Sequence, residues 1–390
     1  MKKLGYLMGA ALLTLGSCTN EINEEGFVDK ANTISFNAYP NKTRAVAGDV
    51  TSDNMTGDHF GVVGYQSDNS IYLYKGNNIA VEQEWNSASS TWEYKTPGDL
   101  KFWPKGSMDF YAYFPYSDNA TFEESDASGD VMTIPDVNCS HDVLFAKYTT
   151  SYIERVPLTF YHAFSKIKKV EVSIEAGVNK GYVKDAGVSV EIQKVEFINT
   201  STSGTVKVDN SGVASYTVAS QNVTLSKDLS SPVVTVNSTH LTGTLIDNST
   251  SGGYLFATTS KSTQKNNVKG TGKNMWNGTT TSWDEGTTLE NLGQVCLKLT
   301  CKVWNGTDSK KYYYVGGDDD DYGVMYIPLT GTSADPTNVS TFEAGKRYTY
   351  NIVFKDNVGF RVNGDPVLRP ILFSVNSVDA WGDVEVTITL

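Results

Sequence analysis

Short alternating runs of apolar and polar residues, broken by Gly, Asn, Asp and Pro, recur along almost the whole chain. Residues 33–39 place Ile34, Phe36 and Ala38 on one face. Residues 60–65 form a compact apolar run. Met108, Phe110, Ala112 and Phe114 alternate with Asp109, Tyr111 and Tyr113 until Pro115 stops the run. In residues 156–175, Leu158 and Phe160 lead into a second alternating stretch at 167–174. Further strands are expected at 292–303, 312–315, 324–329 and 348–354, with Ile371, Phe373 and Val375 alternating later. The chain ends on Val384, Val386, Ile388 and Leu390, set against Glu385, Thr387 and Thr389. Helical periodicity is nearly absent. Many short strands between turn residues predict an all-β sandwich or barrel. Residues 200–282 are rich in Ser, Thr, Asn and Gly and are expected to hold exposed strands and long loops. A boundary between Tyr148 and Val156 divides the pattern into two β-sandwiches, residues 32–152 and 153–390. No short fixed repeat is visible.

The start of the chain departs from this pattern. Lys2 and Lys3 form a positive n-region, and residues 4–15 form an apolar stretch too short for a transmembrane helix. Leu15-Gly16-Ser17-Cys18 then reads as a lipobox, so residues 1–18 are expected to be a lipoprotein signal ending at a lipidated Cys18. Several acyl chains on one Cys would anchor the protein stably to a membrane surface. Residues 19–31, with Glu21, Glu24 and Glu25, read as a flexible acidic tether. Just past the first alternating run, Lys42-Thr43-Arg44-Ala45 offers a basic cleavage point between Arg44 and Ala45.

Composition narrows the function. The chain has 390 residues and a formal net charge of -12, with no basic patch carrying interleaved aromatics, so nucleic acid is not expected as a partner. Of four cysteines, Cys18 is assigned to lipid. Cys139, Cys296 and Cys301 leave an odd number without a CxxC pair, and Cys296 and Cys301 fall on opposite faces of one strand. The sequence lacks HExxH, G-x-S-x-G and phosphate-loop motifs; Gly272-Lys273 resembles the end of a Walker A motif, but Asn267 and Asn274 break it. His59, His141, His162 and His240 show no metal spacing, and the Asp318 to Asp321 run fails the calcium-loop pattern and reads as an acidic hairpin tip. No enzyme activity, cofactor or metal is expected. Trp85, Trp92, Trp276 and Trp283 lie in polar, turn-like contexts, where they would either stack on a carbohydrate or plug a sandwich end.

Several motifs occur together in one order: the lipobox, Thr33-Ile34-Ser35-Phe36-Asn37-Ala38, and Lys42-Thr43-Arg44-Ala45. Next come Phe102-Trp103-Pro104, then Phe110-Tyr111-Ala112-Tyr113-Phe114-Pro115, Asp142-Val143-Leu144-Phe145-Ala146, and the run from Leu158 to Ile167. Ala344-Gly345-Lys346-Arg347-Tyr348-Thr349-Tyr350 and Trp381 complete the series. In this order they resemble the fimbrillin-like (FimA/Mfa-like) pilin lipoproteins of Bacteroidales type V pili. The resemblance spans essentially the whole chain except residues 200–282. It implies two transthyretin-like Greek-key β-sandwich domains, export as a lipoprotein to the outer membrane, and cleavage after Arg44 by an extracellular Arg-specific protease. Loss of the strand carrying Ile34, Phe36 and Ala38 would open a groove for a strand of a neighbouring subunit. Val384, Val386, Ile388 and Leu390 are the candidate donor face. The expected partners are other pilin subunits in a head-to-tail polymer, the protease, the outer membrane before maturation, and a host protein or glycan contacted in adhesion. Two alternatives stand beside this: a glycan-binding surface lipoprotein, and a pilus anchor that keeps its lipid and residues 19–44.

Overall fold

A computed structural model of the chain describes residues 33–40, 50, 55–123, 130–151, 153, 155–174, 188–219, 223–229, 233–237, 242–248, 252–256, 295–307, 310–315, 320–329, 342–354, 360–362, 365–367, 378–379 and 383–389. The N-terminal strands are β1 (Phe36–Pro40), β2 (Phe60–Gln66), β3 (Ile71–Leu73), β4 (Val81–Asn86), β5 (Thr91–Tyr94) and β6 (Met108–Phe114). They continue with β7 (Thr121–Phe122), β8 (Asp130–Asn138), β9 (Leu144–Thr150) and β10 (Val156–His162). Then follow β11 (Phe164–Ile174), β12 (Val188–Thr200), β13 (Ser203–Asp209), β14 (Ala214–Val218), β15 (Val223–Asp228), β16 (Val234–Val236), β17 (Thr242–Asp247) and β18 (Tyr254–Phe256). The last are β19 (Cys296–Thr307), β20 (Lys310–Val315), β21 (Gly323–Pro328), β22 (Arg347–Phe354), β23 (Phe360–Val362), β24 (Asp365–Val367), β25 (Val378–Asp379) and β26 (Asp383–Thr389). The protein is all-β, as the alternation predicts.

One sheet runs β1-β10-β9-β6-β2-β4-β5, with β3 beside β2. Its two end strands lie against each other, so the sheet is rolled around its own core. Alternation decides which residue faces which way. Met108, Phe110, Ala112 and Phe114 of β6 point into the roll, together with Phe60 and Val62 of β2. Tyr111 and Tyr113, with Val63 and Tyr65, point outward into a second core. That core is capped by a four-stranded sheet, β14-β13-β8-β7. A central strand buried on both faces must be apolar throughout, and here tyrosine supplies the second face. The Tyr113 hydroxyl donates to the Ser117 carbonyl at 2.6 Å and that of Tyr65 to the Glu123 carbonyl at 2.9 Å, so neither polar tip is stranded.

The second half is a sandwich. One sheet is β17-β11-β22-β26-β25, with β18 beside β11; the facing sheet is β15-β12-β19-β20, with β16 and β21 attached. Between them lie Val170, Val172, Val190, Ile192, Leu297, Leu299, Tyr350 and Ile352 among others. β10 and the β13–β14 hairpin, both beyond residue 152, pair within the sheets of the first half. Residues 200–256 thus contribute several sheet strands, as expected, but β13 is buried on one face where exposed strands were expected. Gly204, Val206 and Val208 are buried while Thr205 and Lys207 are half-exposed, a clean period of two inside a Ser/Thr-rich context.

Gly204 sits where the hairpin backbones approach most closely: an added Cβ would lie 2.4 Å from the Thr217 carbonyl oxygen and 2.9 Å from Val218 Cα. Gly204→Ala is expected to cost about 1–3 kcal/mol by forcing the backbone apart, while Gly98→Ala, with nothing within 4 Å, should be neutral in the same thermal melts. Burial also pushes the Cys139 and Cys301 thiols up to about 12 and raises the hydroxyls of Tyr113, Tyr216 and Tyr350 above their ordinary values. All these groups are uncharged when protonated, so the fold favours the proton. Their contribution to stability is complete below the free-thiol value of about 8.5 and is lost as pH rises towards 12. The melting midpoint should therefore hold level through neutrality and fall above about pH 8.5. A midpoint unchanged to pH 11 would contradict this account.

Candidate functional site at the first strand

β1 is an edge strand, and its partner β10 runs parallel to it, from Phe36 opposite Val156 to Pro40 opposite Phe160. Its alternation is short but strict. Ile34, Phe36 and Ala38 face the core of the roll; Ile34 and Phe36 are 0% exposed and Ala38 is 8% exposed. The ring of Phe36 meets Phe110 edge-on at 5.5 Å and Phe60 at 6.2 Å, and tilts against Tyr94 of β5 at 6.5 Å. Phe60 in turn meets Trp92 at 4.9 Å and Phe160 at 5.5 Å. Phe36 is therefore the stopper of an aromatic cluster contributed by both ends of the rolled sheet.

On the other side of β1 the segment after β5 closes the seam. The Ile34 N–H donates to the Lys101 carbonyl at 2.9 Å, and Thr33 bridges Phe102. The Tyr72 hydroxyl donates to the Phe102 carbonyl at 2.9 Å and so holds that segment in place. Trp103 packs edge-on against Phe110 at 5.7 Å. The Phe102-Trp103-Pro104 motif thus belongs to the same site as the first strand. Inside the roll, burial raises the Tyr94 hydroxyl well above its ordinary value, and the Lys101 backbone offsets only part of that effect. This hydroxyl makes no hydrogen bond of normal geometry.

The structure brings together Ile34, Phe36 and Ala38. Cys18, Arg44 and Ala45 lie outside the described residues. Val384, Val386 and Ile388 fall in β26, which pairs in parallel with β22 of its own sheet from Arg347–Asp383 to Val353–Thr389; Leu390 lies outside the described residues. Trp92 is buried and Trp85 half-buried against the roll core, their rings 5.6 Å apart, so neither forms an exposed stacking platform. Trp276, Trp283, His240, Asp318 and Asp319 lie outside the described residues. Among the described residues no cluster of His, Cys, Asp or Glu could hold a metal ion. His59 Nδ1 lies 2.6 Å from Glu82 Oε1, which also accepts from Lys95 Nζ at 2.6 Å.

The motifs around Asp142, His162 and Gly345 converge at the turn from β10 to β11, while Trp381 lies outside the described residues. His162 Nδ1 lies 2.6 Å from Asp142 Oδ2, both buried. The Ala163 N–H donates to the Val143 carbonyl at 2.7 Å, and the Gly345 N–H to the Phe164 carbonyl at 2.8 Å. Gly345 has a φ of +71°, which explains the Gly in the Ala344 to Tyr350 motif. Sequence reasoning missed Gln83, fully buried inside the roll, because its neighbours Glu82 and Glu84 make β4 read as polar.

Phe36→Ala should cost about 3–5 kcal/mol of the stability of the rolled sheet, since the ring leaves a cavity that β1 alone cannot collapse. Denaturant unfolding would measure the loss. Hydrogen exchange should show the amides of residues 36–39 opening faster, while those of β22 stay protected.

A family model described as fimbrillin-like matches residues 43–365. Among solved structures, a fimbrial protein from Bacteroides vulgatus is similar at 16% identity and a TM-score of 0.48, with 84% of this chain and 96% of that chain covered. The fimbrial anchor protein Mfa2 from Porphyromonas gingivalis is similar at 10% identity and a TM-score of 0.23, with 51% and 78% covered. No curated protein matches the chain. The family match takes in most of the sequence, including every core strand from β2 to β22, and the chain belongs to the fimbrillin-like family.

Proposed function

We propose that this chain is a pilin subunit exported as a lipoprotein on Cys18, cut between Arg44 and Ala45 by an extracellular Arg-specific protease, and assembled into cell-surface fimbriae for adhesion by exchange of its first strand. The observation that carries the proposal is the first strand itself. β1 is an edge strand; with Ile34 just before it, its Phe36 and Ala38 fill the mouth of the rolled core, and Arg44 follows its last residue, Pro40, by four positions.

Cutting after Arg44 changes the energetics without changing a contact. Burying Ile34 and Phe36 is worth roughly 1.5–3 kcal/mol each. Ordering the strand's backbone costs roughly 1–2 kcal/mol per residue. While β1 is part of the chain, its seating is intramolecular and spares the translational and rotational cost that a free strand bears. Once it is cut free, the strand becomes a weak ligand, and its departure leaves the roll with an open edge and an unfilled aromatic seat. A neighbour's strand, alternating with the same period, takes the place by backbone hydrogen bonding and side-chain register. The contact is head-to-tail and builds a filament. The segment with Val384, Val386, Ile388 and Leu390 is the candidate donor, and to act so it has first to leave β22.

N-terminal sequencing of protein taken from the cell surface tests the maturation step. A start at Ala45 is expected; a lipidated Cys18 start in assembled fimbriae would overturn it. Arg44→Ala should give folded, lipid-anchored monomer with normal melting behaviour and no polymer by electron microscopy. Undiminished filaments from that variant would sink the proposal.

A further inference from the structure

Gln83 is 0% exposed, and neither its Oε1 nor its Nε2 has a hydrogen-bond partner among the described residues. It lies on β4 opposite Phe60 of β2 and Tyr94 of β5. Directly opposed residues of antiparallel strands share a face, so the carboxamide lies on the side of Phe60 and Tyr94, the inside of the roll. Phe36 rests its ring on both of those residues. The neighbouring Glu82 points the other way and is satisfied by Lys95 and His59. The stranded polar group of β4 is therefore on the floor of the seat that β1 fills.

A carboxamide offers two donors and two acceptor lone pairs. The inward residues of β1 and the stretch leading into it are Ile34, Phe36 and Ala38, and none has a polar side chain to meet it. The strand in this structure thus leaves Gln83 unpaired at full desolvation cost, a cost that a better-matched occupant would remove. Val384, Val386, Ile388 and Leu390 repeat the same defect, because that face is apolar throughout. Turning that segment over would bury the Glu385 carboxylate instead.

Resting on the strand-exchange proposal, we infer that Gln83 is a specificity determinant of the groove. Its preferred occupant is a strand from a different subunit, carrying an amide or hydroxyl side chain at the position of Phe36 and apolar side chains two residues to either side. The unpaired carboxamide disfavours both the resident strand and a copy of this chain's own tail, and so directs assembly towards unlike neighbours.

The test uses the full chain, folded and then nicked after Arg44 by an arginine-specific protease, with intact mass confirming a single cut. Fluorescent peptides spanning residues 32–40, native or carrying Phe36→Gln, are exchanged into the groove of the wild-type protein and of Gln83→Met. Comparing the two proteins cancels the aromatic burial that the substituted peptide loses and isolates the coupling to Gln83. The Phe36→Gln peptide should gain about fivefold or more, relative to the native peptide, in the protein that keeps Gln83. Intact Gln83→Met should also melt higher than wild type. Equal discrimination by both proteins, or a lower melting midpoint for Gln83→Met, would overturn the inference and leave strand exchange standing. So would a peptide of residues 382–390 that displaces the resident strand better than the Phe36→Gln peptide does. Failure of every peptide to enter the nicked wild-type protein would overturn both.

Discussion

The seating of Phe36 between the two ends of one rolled sheet is the contact on which the first half of the molecule depends. A sheet that curls far enough to bring β1 against β5 still has two free edges, and a roll closed only by backbone would leave a dry gap along the seam. Phe36 fills that gap from β1 while touching Phe60, Phe110 and Tyr94, which come from three other strands. The ring does not finish an existing core so much as define where the seam closes. Lys101 and Phe102 complete the closure from the far side by pairing with Ile34 and Thr33.

Apart from that seam, the pairing of the remaining strands does not run through β1. The strands β9, β6, β2 and β4 are paired on both sides without β1, and β6 and β2 are clamped from outside by a separate core under β8 and β13. Parallel pairing to β10 is slightly weaker per residue than the antiparallel pairing elsewhere in the sheet. In the strand-exchange proposal these paired strands are the acceptor and β1 is the strand that leaves. On that proposal, removing covalent continuity would change the occupant while the strands paired without β1 keep their partners.

The faces of individual strands can be read from alternation alone. Ile34, Phe36 and Ala38 stood out as one face, and β6 declared both of its faces, because a period of two survives in any strand that is buried on a side. The expectation for residues 200–282 was less successful. There Val206 and Val208 are the anchors of β13, but Ser and Thr around them supply β-propensity without contrast, so the run reads as exposed. Pairing partners were also hidden. That β13 should pair with β8 across the chain, or β11 with β22 in parallel, is decided by which faces remain uncovered after local hairpins form, and no local signal carries it. The convergence of Asp142, His162 and Gly345 at one turn follows from the same long-range pairing.

Gln83 was illegible for a different reason. A Gln between two Glu residues in a strand of mixed polarity looks like a solvated position, and only the roll turns that face inward. A wholly apolar floor would bind any alternating hydrophobic strand, its own tail included, and the chain would self-associate without regard to partner. A buried carboxamide makes the groove worse for every apolar occupant and better for one class of strand. Under the strand-exchange proposal, the stability lost in the closed monomer would be the source of discrimination in the open one, since the same orphaned group penalises the resident strand and would favour a polar replacement.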